Sequence, residues 1–147
     1  MPSKADAGNT FTLRIERSMA GLEQLGGWVD TVAAATGLSK TAEFALRLCL
    51  EEATANVVMH GAGDTGSDGD AGFVALHVAP AQDSLHVTVE DDCEAFDPLH
   101  VPAATIPTNP DEARVGGLGV HLMRQYARTI DYARVGDVNR LTLTIGR

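Results

Sequence analysis

Lysine is nearly absent from these 147 residues. Lys4 and Lys40 stand alone, and 11 basic residues face 20 acidic ones for a net charge of -9. Such a surface repels phosphate backbones and anionic lipid, which argues against nucleic acid and membrane surfaces as partners. Cysteine is scarce as well. Cys49 and Cys93 do not make a disulfide framework, so reduced thiols in a cytoplasmic protein are expected. No apolar run approaches the roughly 20 residues of a membrane span. The opening MPSKADAGNT lacks the apolar core of a signal peptide. The remainder is ordinary for a globular chain, 44% hydrophobic and 21% charged. It suffices for one domain with a full core. That domain is expected over 9–147, after a disordered start at 1–8.

Hydrophobic spacing outlines the elements. FTLRIER puts Phe11, Leu13 and Ile15 on one face of a strand. Leu22, Leu25, Val29 and Val32 recur at helical spacing from about Gly21 to Thr36, and Gly37 is a stop signal. Ser39 is an N-cap candidate for a second helix reaching His60, with Gly61 to end it. A Gly/Asp loop spans 62–72. FVALHVAP and SLHVTVE then alternate as strands, burying Val74, Leu76 and Val78, and Leu85, Val87 and Val89. The stretch 92–115 holds four prolines and no clear period. Loops of that length inside a domain are usually functional. GGLGVHLMRQYA opens a third helix. IDYARVGDVNRLTLTI forms a hairpin turning at Gly136-Asp137, with Leu141, Leu143 and Ile145 inward. The order predicts an α+β two-layer sandwich: a mostly antiparallel, mixed sheet covered on one face by three helices.

Three places carry unexplained polarity. On the second helix, Ala45, Cys49, Glu52, Asn56 and Met59 share a stripe beside the apolar one. Cys49, Met59 and Met123 are expected in the core. Glu52 and Asn56 point the same way at the core edge, and no basic residue stands a turn away on that stripe. A partly buried carboxylate costs several kcal/mol unless something pairs with it. An amide oxygen and a carboxylate suit hydrated Mg²⁺. A carboxylate of raised pKa suits general-base work. Both residues could equally line a groove and bond only to water. Glu51, a turn from Arg47, reads as a solvated charge. Asp91 and Asp92 end a strand, where a carboxylate can accept from a ligand amine, such as that of adenine, or simply begin a turn. In the following FDP, Phe96 can pack on the core. Gly116 to Gly119 open a helix whose N–H groups suit phosphate, with Arg114 nearby. No Lys-Ser/Thr follows, so this is no P-loop. The five histidines show no metal-ligand spacing.

EEATANVVMHG, VEDDCEAFDP, a proline-rich loop, GGLGVHLM and NRLTLTI follow one another in that order. The series resembles the GHKL (histidine-kinase-like) ATP-binding fold. More narrowly, it resembles the stand-alone serine-kinase anti-sigma factors of bacteria, of the RsbW/SpoIIAB type, over about Phe11 to Ile145. The resemblance implies an ATP-dependent protein serine kinase with Mg²⁺. Its substrate would be an anti-anti-sigma (STAS-type) partner, and it would sequester a sigma factor or equivalent; the resemblance allows a homodimer and leaves the oligomeric state open. Glu52 would be the catalytic base and Asn56 the Mg²⁺ ligand. Asp91 would take the adenine amine, Gly117 and Gly119 would meet the phosphates, and Asn56, Cys93, Arg114, Leu118 and Val120 would also belong to the nucleotide site. Residues 92–115 would form a lid. The dimerisation helices of histidine kinases are missing, which implies a separate protein as acceptor. Cys93 stands where the family pattern has glycine. If that backbone needs positive φ, cysteine costs about 1–3 kcal/mol, and its sulfur would crowd the nucleotide. Weakened but retained ATP binding is expected. Pure sequestration without catalysis is the alternative, and ATP hydrolysis a third.

Overall fold

The computed structural model describes residues 10–60, 72–100 and 118–147. The expected disordered start, most of the Gly/Asp loop, most of the lid, Arg114 and Gly117 lie outside the described residues. Strand β1 (Phe11–Glu16) leads into helix α1 (Met19–Thr36). Ser18 caps α1, its hydroxyl accepting from Gly21 N–H at 3.1 Å. The junction is tight: a Cβ on Gly21 would sit 2.0 Å from the Glu16 carbonyl oxygen. Gly37, at φ 64°, ends α1 in the left-handed conformation. Ser39 then caps α2 (Lys40–His60), accepting from Ala42 N–H at 3.1 Å. Arg47 of α2 ties the two helices together through Asp30 of α1, and it also pairs with Glu43 on its own helix. It turns to these partners rather than to Glu51, which is exposed.

Next come β2 (Phe73–Pro80) and β3 (Ser84–Asp91), then a short 3-10 turn at Pro98–His100. Helix α3 (Leu118–Tyr126) and the hairpin of β4 (Thr129–Val135) and β5 (Val138–Gly146) complete the described chain. The sheet runs β1-β2-β3-β5-β4. All four pairings are antiparallel, so the expected parallel component is not found among the described strands. β5 takes the interior place because it alternates buried and half-buried residues along its whole length. β4 is mostly exposed and takes the edge.

The core forms where side-chain rows of the sheet meet the helices. One row runs Phe11–Val78–Val87–Leu143–Ile130 across all five strands. The next runs Leu13–Leu76–Val89–Leu141–Tyr132. Leu25, Val29 and Val32 of α1, Leu46 and Leu50 of α2 and Met123 of α3 close over them, all at most 1% exposed. Truncating one such leucine to alanine costs about 2–5 kcal/mol. Cys49 is fully buried, as expected. Met59 is not: it is 55% exposed. A stripe of 3.5-residue steps drifts by about 20° per heptad on an α-helix, and that drift turns Met59 away from the core.

Candidate functional site

The third row of the sheet runs Ile15–Val74–Asp91–Asn139–Arg134. It begins as the other two do and then turns polar. Asp91 has the same strand parity as Leu85, Val87 and Val89. Asn139 has that of Leu141, Leu143 and Ile145. Both therefore point beneath the helices, at 7% and 5% exposure. Asp92, one residue on, is exposed and accepts from Phe73 N–H at 3.1 Å.

Buried polar groups need partners, and these two supply each other. Asp91 Oδ1 accepts from Asn139 Nδ2 at 2.9 Å and from Cys93 N–H at 3.0 Å. Asn139 Nδ2 also donates to Glu94 O at 2.8 Å, and its Oδ1 accepts from Phe96 N–H at 3.2 Å and from the Tyr132 hydroxyl. Arg134 Nη1 donates to Cys93 O at 2.8 Å. Asn139, Tyr132 and Arg134 are absent from the sequence-based site. Strand parity was the available signal for Asn139, since an amide occupies a slot that otherwise takes leucine or isoleucine.

Above this row lies a cleft. Its walls are Ala53, Asn56 and Val57 of α2, Val89, Asp91 and Cys93 of β3 and its exit, and Tyr132, Asn139 and Leu141 of the hairpin. Phe96 and Pro98 close the rim. Phe96, expected on the core, is 38% exposed because the turn holds it at that rim. The open space of the cleft is about 30 Å³, room for roughly a water.

Cys93 is 8% exposed, and no non-glycine residue among those described has positive φ. The backbone strain foreseen there is therefore absent. Burial first, then the Asp91 charge and a hydrogen bond to that carboxylate, push the thiol up to about 12. That favours the protonated thiol in the wall of the cleft.

Glu52 does not line this cleft. It borders a neighbouring groove of about 430 Å³ with Leu22, Leu25 and Gly26 of α1, and Glu51 and Ala55. Asn56, about 6 Å further along the helix, carries the same stripe into the cleft. α3 begins against Glu52: a Cβ on Gly119 would stand 2.6 Å from Glu52 Oε2. Burial, and secondarily the charge of Glu51, raise the Glu52 pKa above its ordinary value of 4.5. Val120 is 9% exposed and joins the core. Leu118 begins α3. The structure thus gathers Asn56, Asp91 and Cys93 in one cleft, and sets Glu52 and Gly119 together beside it. Among the described residues, no group of three or more His, Cys, Asp or Glu could hold a metal, so a cation here would rest on few protein ligands.

The histidine kinase-like ATPase domain profile matches residues 15–145. Serine/threonine-protein kinase BtrW of Bordetella bronchiseptica is 32% identical over 117 residues, 80% of each chain. The crystal structure of the RsbU and RsbW domains of Rv1364c from Mycobacterium tuberculosis superposes with a TM-score of 0.64 at 13% identity. That match covers 95% of this chain and 33% of the longer one, and it speaks to the fold.

Proposed function

This chain belongs to the histidine kinase-like ATPase domain family, and from that premise we propose that it is a protein serine kinase and anti-sigma-type regulator. It would phosphorylate a separate STAS-type partner and sequester a sigma factor or equivalent. The observation that carries the reading is the α2 stripe. It delivers Asn56 to the Asp91 cleft and, one turn earlier, sets a carboxylate of raised pKa against the start of α3. The 32% identity to a named serine/threonine kinase supports the choice of reaction.

The residues fit a magnesium nucleotide. Asp91 is a buried carboxylate with one oxygen fixed by two donors, so the cleft can accept from a base amine. The Asn56 amide oxygen is a hard ligand suited to Mg²⁺. Gly119 lets Glu52 approach the head of α3, where a Cβ would stand 2.6 Å from Glu52 Oε2 and where helix N–H groups favour anions. When bound, Mg-ATP supplies the phosphoryl group, and the metal offsets its charge. Glu52 orients the acceptor hydroxyl and takes its proton, a task for which a raised pKa is an advantage. The added phosphate then disfavours the partner's return to an acidic protein of net charge -9.

The test is transfer of labelled γ-phosphate from Mg-ATP to a serine of a co-purified partner. Glu52→Ala should keep ATP binding and lose transfer. Full transfer by that variant would remove Glu52 from the mechanism. A sequestering module without catalysis is the second reading, favoured by the Cys93 thiol that sits bonded to Asp91 inside the cleft. No saturable ATP binding at millimolar concentration would decide for it.

A further inference from the structure

We propose that Asn139 is a positioning residue for base selection, holding Asp91 as a fixed acceptor so that the cleft selects a purine with an exocyclic amine. This rests on the nucleotide-binding reading above. Asn139 is 5% exposed, on a strand whose other inward residues are Leu141, Leu143 and Ile145. A buried amide is costly unless bonded, and both ends of this one are committed to the segment Asp91–Phe96. Nδ2 reaches Asp91 Oδ1 at 2.9 Å and Glu94 O at 2.8 Å, with Cys93 O further off at 3.4 Å. Oδ1 takes the Phe96 N–H and the Tyr132 hydroxyl. The donor-only Phe96 N–H and the acceptor-only Asp91 carboxylate and Glu94 carbonyl set which way the amide faces, and the Tyr132 hydroxyl adds a second donor to Oδ1.

The consequence is chemical. Asp91 Oδ1 already accepts from Asn139 and from Cys93 N–H, and the carboxylate also accepts from the Cys93 thiol, so rotating it breaks these bonds. The carboxylate meets a ligand as an acceptor in one orientation. A base amine matches it. A 6-oxo group in the same place sets lone pair against lone pair, and a purine with hydrogen there offers the carboxylate no donor.

The experiment measures dissociation constants by calorimetry for Mg-ADP, Mg-GDP and the Mg-diphosphate of unsubstituted purine riboside. The proteins are the full chain and its Asn139→Leu and Tyr132→Phe variants, each with a melting curve. Asn139→Leu continues the apolar row and should fold. Wild type should bind ADP at least about tenfold more tightly than the amine-free analogue. In Asn139→Leu that ratio should fall to within about threefold, and in Tyr132→Phe it should fall part of the way. A purely structural role would weaken all three nucleotides alike and leave the ratio unchanged, which overturns the proposal. Should Asn139→Leu not fold, an unchanged ratio in Tyr132→Phe overturns it equally. Wild type that binds none of the three removes the nucleotide reading itself, a result distinct from binding without discrimination.

Discussion

The Asp91 end and the Glu52 end of the site are built in opposite ways. Asp91 is held by neighbours that donate to it, from the backbone of its own turn and from the adjoining strand. Glu52 sits between helices, where burial and a neighbouring carboxylate both disfavour its charge. A group that selects a ligand is best kept in one state and one direction. A group that takes up a proton is best kept reluctant to remain charged. The contrast lets the two functions be broken separately.

The largest effect belongs to the Glu52 end. Glu52→Gln should reduce phosphoryl transfer by about 10²–10⁴-fold and leave the ADP dissociation constant nearly unchanged, as read by single-turnover kinetics and calorimetry. Because its pKa is raised, transfer by wild type should fall as pH drops through a value above 4.5. The stability effect has the opposite direction. A carboxylate with a raised folded-state pKa favours the fold at low pH and loses that contribution as pH rises through it. Glu52→Gln should therefore melt above wild type at pH 7, with the gap closing toward pH 4, the ordinary glutamate value being 4.5.

At the other end, Asp91→Asn should weaken ADP by about 10–100-fold. Its amide would have to keep an oxygen toward Cys93 N–H and Asn139 Nδ2, turning an NH₂ toward the base amine. Transfer at saturating nucleotide should suffer less than binding, the reverse of the Glu52 pattern. Gly119→Ala comes next. Its methyl would stand 2.6 Å from Glu52 Oε2, and the flexible carboxylate must move. About a tenfold loss in kcat with little change in melting temperature is expected, since one misplaced group at the reacting end suffices. The smallest effect is at Cys93. With its thiol pushed up to about 12 and only 8% exposed, alkylation by iodoacetamide at pH 8 should be far slower than in the unfolded chain. Cys93→Ser should change ADP affinity by no more than about threefold, the hydroxyl keeping the hydrogen bond to Asp91. Fast labelling of the folded protein would contradict this placement.

Local features were readable in advance because they depend on neighbours in the chain. The strand faces of β2 and β3, the stop at Gly37, the cap at Ser39 and the turn at Gly136 each rest on period, φ or a short-range bond. The shared face of Glu52 and Asn56 follows from helix geometry alone. Met59 was misplaced because spacing fixes which residues align, and not how far the stripe has drifted from the core. Phe96 was misplaced because its N–H is held by a residue 43 positions away.

Amino-acid order alone thus settled the elements, their inward faces and the kinds of side chain able to do chemistry, since alternation, helical period and capping act within a few residues. Folding in three dimensions decided the rest. It inserted β5 between β3 and β4, which set Asn139 opposite Asp91, and it laid α3 against Glu52. Those meetings join segments dozens of residues apart, through hydrogen bonds and close packing that exist only when the sheet and helices close on one another.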